Sequence, residues 1–267
     1  MIGVFDSGFG GLLVLKEFLR LLPDYDYLYL GDNARIPYGT RSDEVVYRFT
    51  QQAVDYLFQQ GCILIILACH TASSKALRRI QQQYLPVHYP DRRVLGVVIP
   101  TVEAALARSR QGRIGVIGTE GTVTSNSFAI ELKKLEPATQ VFQQACPLLV
   151  PIIEAGEQEW EGTDLILKRY LAPLNQAQVD TLILGCTHYS IVKSQIQSLL
   201  NHDLEIICSA EVTGVKLADY LKRHPEIETR LSRQGQRRYL TTDLTPGFQR
   251  LASLFMGHPI APEIVEL

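Results

Sequence analysis

Short apolar runs that end in small or polar residues recur along this chain, with amphipathic stretches between them. The run over residues 62–69 is apolar at every position. That suits a strand covered on both faces better than one with a wetted face. Strands are expected over 2–5, 27–30, 63–68, 94–99, 114–117, 181–184, 205–208 and 239–241. Helices are expected between them, over 12–22, 42–60, 71–84, 102–110, 126–135, 162–174 and 213–222. This alternation specifies an α/β fold in which parallel sheets are flanked by helices.

The pattern is duplicated. Ala68-Cys69-His70-Thr71 and Gly185-Cys186-Thr187-His188 each close an apolar run, with the cysteines 117 residues apart. Ile2-Gly3-Val4-Phe5-Asp6-Ser7 resembles Ile114-Gly115-Val116-Ile117-Gly118-Thr119, and residues 94–104 resemble 204–214. Three matches in the same order indicate two copies of one α/β unit. The expected division is residues 1–95 with 209–267 as one lobe and 96–208 as the other, with a cleft between them.

The bulk properties exclude several classes. A net charge of −2 leaves no basic footprint for nucleic acid. The longest apolar run is far too short to cross a membrane. The N-terminus has no basic region before its first strand, so it is not a signal peptide. Five cysteines in 267 residues imply no disulfide framework and fit a reducing cytoplasm.

Cys69 and Cys186 each follow a strand and precede a helix, at the sheet edge where α/β proteins place ligands. A helix N-terminus favours the thiolate, but its 0.3–2 kcal/mol amounts to roughly one pKa unit at most. Each thiol therefore needs an acid–base partner, for which Asp6, Glu154 and His188 are candidates. Cys62, Cys146 and Cys208 lack the duplicated polar setting and read as small buried hydrophobes. The turn Asp6-Ser7-Gly8-Phe9-Gly10-Gly11 is not a dinucleotide fingerprint, because the third glycine position is Leu13. A need for positive φ would explain its glycines, and so would an anion held on its amides. Asp6 could orient an ammonium group. Ser7, Thr71, Thr119 and Thr187 supply hydroxyls suited to a carboxylate. Residues 35–40 read either as a loop that closes over a ligand or as an ordinary surface turn.

These motifs together resemble the glutamate racemases. They are residues 3–8 with Gly10-Gly11, Gly31-Asp32, Pro37-Tyr38-Gly39, the two cysteine segments, residues 115–119 and Ala145-Cys146-Pro147. The resemblance implies two pseudo-symmetric lobes, an active site between them and a cofactor-independent racemase that makes D-glutamate for peptidoglycan. It implies Cys69 and Cys186 as the catalytic acid/bases, with Asp6, Glu154 and His188 as their supports. The implied substrate-binding set is Asp6, Ser7, Pro37, Tyr38, Gly39, His70, Thr71, Thr119, Thr122, Thr187 and His188. A homodimer without metal is also implied. His70 departs from the pattern, for the family usually has Asn there. An imidazole is larger than an amide and can carry charge.

Other readings stay open at this stage. The same chemistry could act on aspartate or on several amino acids. The Cys and His pairs could bind zinc, although adjacent Cys-His lacks the usual ligand spacing. A dicarboxylate-binding module would hold glutamate without exchanging its α-proton. A pyridoxal-phosphate racemase would need a Schiff-base lysine in a phosphate cradle, and Lys16, Lys75 and Lys193 do not sit in one.

Overall fold

The computed structural model describes residues 1–200 and 203–267. Among these, ten strands form two sheets. Their ranges are β1 (Ile2–Asp6), β2 (Tyr27–Gly31), β3 (Leu64–Leu67), β4 (Arg93–Gly96), β5 (Arg113–Gly118), β6 (Gln140–Ala145), β7 (Thr181–Gly185), β8 (Glu205–Cys208), β9 (Arg237–Thr241) and β10 (Glu263–Ile264). The first sheet has the order β10-β9-β2-β1-β3-β4 and the second β6-β5-β7-β8. Every pairing is parallel.

The order β2-β1-β3-β4 is repeated as β6-β5-β7-β8. The sequence duplication is therefore a duplication of topology, with β1 matched to β5 and β3 to β7. Alternate residues of each central strand enter different cores, as a two-residue period requires. Val4 packs with Leu12, Leu15 and Phe18 of α1 (Gly11–Leu21), whereas Phe5 packs with Val54, Leu57 and Phe58 of α2 (Asp43–Gln59). In the second sheet Leu182 and Ile183 divide in the same way.

Three expectations are corrected. The strand over 94–99 stops at Gly96, because its partner β3 ends at Leu67. Val98, Val102 and Ala105 instead form the buried face of a helix, Val98–Arg108. The helix over 71–84 is broken at Ala76, leaving α3 (His70–Lys75), a three-residue helical piece, Leu77–Arg79, and a π-helical segment, Ile80–Tyr84. The strand β6 was not expected. It pairs only with β5 at the sheet edge, so its sequence, QVFQQA, carries no apolar run. No described helix is long and apolar enough to cross a membrane.

Candidate active site

The carboxyl ends of β1, β3, β5, β6 and β7 meet around one cavity of about 310 Å³. They deliver Ser7 and Gly8, Cys69, Thr119, Cys146 and Cys186 to its wall. Each sheet therefore contributes one of the two duplicated cysteines. Cys69 is 6% exposed and Cys186 8%. Their electrostatic interaction raises the Cys69 pKa, though it is the smallest of the influences on that thiol.

Cys69 caps α3. Its sulfur accepts from the Ala72 amide at 3.4 Å and lies 3.2 Å from Ser7 Oγ. Burial pushes this thiol up to about 12, and the neighbouring Asp6 charge adds to the rise. The Ser7 and Ala72 contacts oppose it without prevailing. The helix end does favour a Cys69 thiolate through the Ala72 amide, but a six-residue helix does not offset desolvation.

Cys186 has a different neighbour. His188 Nδ1 lies 3.8 Å from its sulfur. His188 Nε2 lies 3.2 Å from Glu154 Oε1, close enough for ion pairing but not aligned as a hydrogen bond. Burial opposes charge on this imidazole, but Cys186 and Glu154 outweigh it and push the pKa up to about 10. Glu154 comes from α4 (Leu149–Ala155).

Asp6 is buried, and burial raises its carboxyl pKa against the pull of His188 and the Gly8 and Gly11 amides. Its Oδ2 accepts from Gly8 N at 2.9 Å, while Oδ1 has no partner. Thr71, Thr119 and Thr122 form a ring of hydroxyls joining the two sheets, with Oγ1 separations of 3.0, 3.1 and 3.5 Å. His70 is 2% exposed and neither ring nitrogen has a partner. Burial lowers its pKa to about 3, so the imidazole is neutral.

The turn Tyr38–Thr40 forms another wall. The Tyr38 hydroxyl donates to Asp32, which also accepts from Arg35 at 2.6 Å and Thr242 at 2.9 Å. Among the described residues, none lining the cavity is Lys or Arg.

A family model for Asp/Glu/Hydantoin racemase matches residues 12–217. The chain belongs to this racemase family. The glutamate racemase of Geobacter metallireducens is 42% identical, covering 96% of this chain and 92% of that one. Among solved structures, glutamate racemase isoform RacE1 from Bacillus anthracis has a TM-score of 0.92 at 36% identity. It covers 100% of this chain and 97% of its own. The glutamate racemase of Francisella tularensis in complex with D-glutamate has a TM-score of 0.89 at 32% identity, covering 99% and 97%.

An Asp/Glu/hydantoin racemase has to address an α-carbon, and most expected residues line a space where one could sit. Cys69, Cys186, Glu154, His188, Ser7, Pro37, Tyr38, Gly39, His70, Thr71, Thr119 and Thr187 all reach the cavity. Asp6 and Thr122 do not; they stand behind its wall, against Ser7–Gly8 and Thr119 respectively. Among the described residues, no three His, Cys, Asp or Glu side chains are grouped to hold a metal ion.

Sequence reasoning missed Cys146, Pro147, Val150 and Pro151 of the wall. Cys146 is buried, as expected of a small hydrophobe, but at the cavity. The available signal was Ala145-Cys146-Pro147 itself, one of the motifs that carry the family resemblance.

Proposed function

We propose that this racemase interconverts L- and D-glutamate without a cofactor, using Cys69 and Cys186 as paired acid and base. The observation that carries the reading is that the two sheets present one thiol each to a single cavity. One thiolate removes the α-proton, and the thiol on the opposite face returns a proton to the planar carbanion. The resting site is asymmetric. The Cys69 thiol is held protonated by burial, while Cys186 has the His188 imidazolium beside it. The side chains of Ser7, Thr71, Thr119 and Thr187, with nearby backbone amides, offer preorganised donors for the carboxylates and for charge spreading onto the α-carboxylate. Asp6 acts through Cys69 and the β1 turn. Close relatives named glutamate racemase support the choice of substrate.

The product would supply peptidoglycan synthesis in the cytoplasm, from an enzyme acting as a homodimer. The deciding experiment follows α-proton exchange in deuterated water with both enantiomers of glutamate and of aspartate. It compares the parent with Cys69→Ser and Cys186→Ser. Full racemisation should fall at least about a thousandfold in each variant, with residual exchange from one enantiomer only. Near-parental racemisation in both variants would sink the two-thiol reading, and faster turnover of aspartate would reassign the substrate.

A further inference from the structure

The Tyr38–Thr40 turn lines the cavity but belongs to neither sheet. Its first anchor is the Tyr38 hydroxyl on Asp32. Its second is close packing against the other lobe. A Cβ on Gly39 would lie 2.8 Å from Thr119 Cβ, and one on Gly121 would lie 2.8 Å from the Gly39 carbonyl oxygen. Its third anchor is Lys75. The Lys75 side chain is only 6% exposed, although lysine is rarely buried unless paired. Its Nζ donates to the Arg41 carbonyl at 2.9 Å and pairs with Asp43 at the same distance. Its stem runs against Gly121, with Cε 3.0 Å from where a Cβ would sit.

Lys75 stands four residues after Thr71, so both share one face of α3. Thr71 meets the Thr119 hydroxyl there, and Lys75 holds the end of the turn that Thr119 packs against. We infer that Lys75 is a positioning residue for substrate, fixing the Tyr38–Arg41 segment as a rigid wall where α3, that turn and the 119–121 segment of the other lobe converge. It touches no reacting atom. The inference rests on the reading of the cavity as the glutamate site, but the turn's rigidity can be measured without substrate.

Lys75→Met keeps the stem and removes the ammonium. Amide hydrogen exchange at residues 38–41 of the ligand-free protein should rise about tenfold or more. Hydrogen bonds to charged groups carry enough free energy to give an effect of that size. KM for both enantiomers should rise about tenfold while kcat changes less than threefold, and Lys75→Arg should restore both values to within about threefold. A purely structural lysine would lower Tm and leave the exchange at 38–41 and the KM–kcat split alone; that result overturns the inference. Lys75→Gln, which keeps a donor without the charge, is the second variant. If it and Lys75→Met both fail to fold, the residue serves stability and the proposal falls. The exchange result is independent of turnover, so it stands apart from any failure of the substrate assignment.

Discussion

Gly10 and Thr187 meet across the two lobes with no space between them. A methyl group on Gly10 would fall inside the contact radius of Thr187 Oγ1, 2.7 Å from Thr187 Cβ and 2.8 Å from His188 Nδ1. Gly10 has φ −59°, so positive φ is not its reason for being glycine. The first turn of one sheet abuts the segment that carries the second thiol of the other.

Gly10→Ala should therefore act through Thr187 and His188. Overpacking of this kind costs about 1–3 kcal/mol in stability. Displacing positioned groups by about 1 Å can cost about 10²-fold in rate. The expected outcome is a modest fall in Tm with a drop in kcat/KM of about a hundredfold. Steady-state kinetics beside thermal melts check this, and parental kcat/KM would contradict the packing argument.

His188 should carry its proton through neutrality. Its folded pKa of about 10 exceeds the ordinary value of about 6.5. It therefore contributes stability that is whole below pH 6.5 and disappears as pH climbs to about 10. Ring-carbon NMR titration of the ligand-free protein should find an imidazolium at pH 8. Glu154→Gln should lower the midpoint, and His188→Asn should slow racemisation by about 10²–10⁴-fold. A midpoint near 6.5 in the parent would refute the assignment.

His70 works in the opposite sense. Its folded pKa of about 3 lies below the ordinary value, so between pH 6.5 and 3 only the unfolded chain takes up the proton. Acid then removes stability at up to about 1.4 kcal/mol per pH unit. Replacing His70 by Asn should flatten this acid limb in urea unfolding between pH 4 and 7. Parallel limbs for the two proteins would mean that the imidazole is not held neutral.

Asp6→Asn removes a charge that helps keep Cys69 protonated. Burial is the larger cause and remains, so the thiol should stay above its ordinary range. Alkylation of Cys69 at pH 8.5, followed by peptide mass spectrometry, should quicken severalfold. An unchanged rate would show that the carboxylate does not act on this sulfur.

How much was legible in the chain depended on whether the cause was local. Cys69 and Cys186 stand out because each closes an apolar run and the runs are repeated. Ser7 and Thr119 followed from the same repeat, at the ends of β1 and β5. The strand β6 was hidden by its glutamines, which an edge position permits. The wall residues Val150 and Pro151 were hidden because α4 is short and carries a proline. The role of Gly10 could not be read at all, since the atom that forbids a side chain belongs to a residue 177 positions later. That Asp6 and Thr122 stand behind Ser7–Gly8 and Thr119 was not legible, for sequence order says which strand end a residue occupies but not whether it or its neighbour faces the cavity.

A cavity wall with no lysine or arginine among the described residues has a consequence for turnover. A dicarboxylate occupant finds one imidazolium, the Glu120 and Glu154 carboxylates and otherwise neutral dipoles, which aim it without creating a deep electrostatic trap. Release can then stay quick for either mirror image, and the catalyst avoids being poisoned by what it has just made.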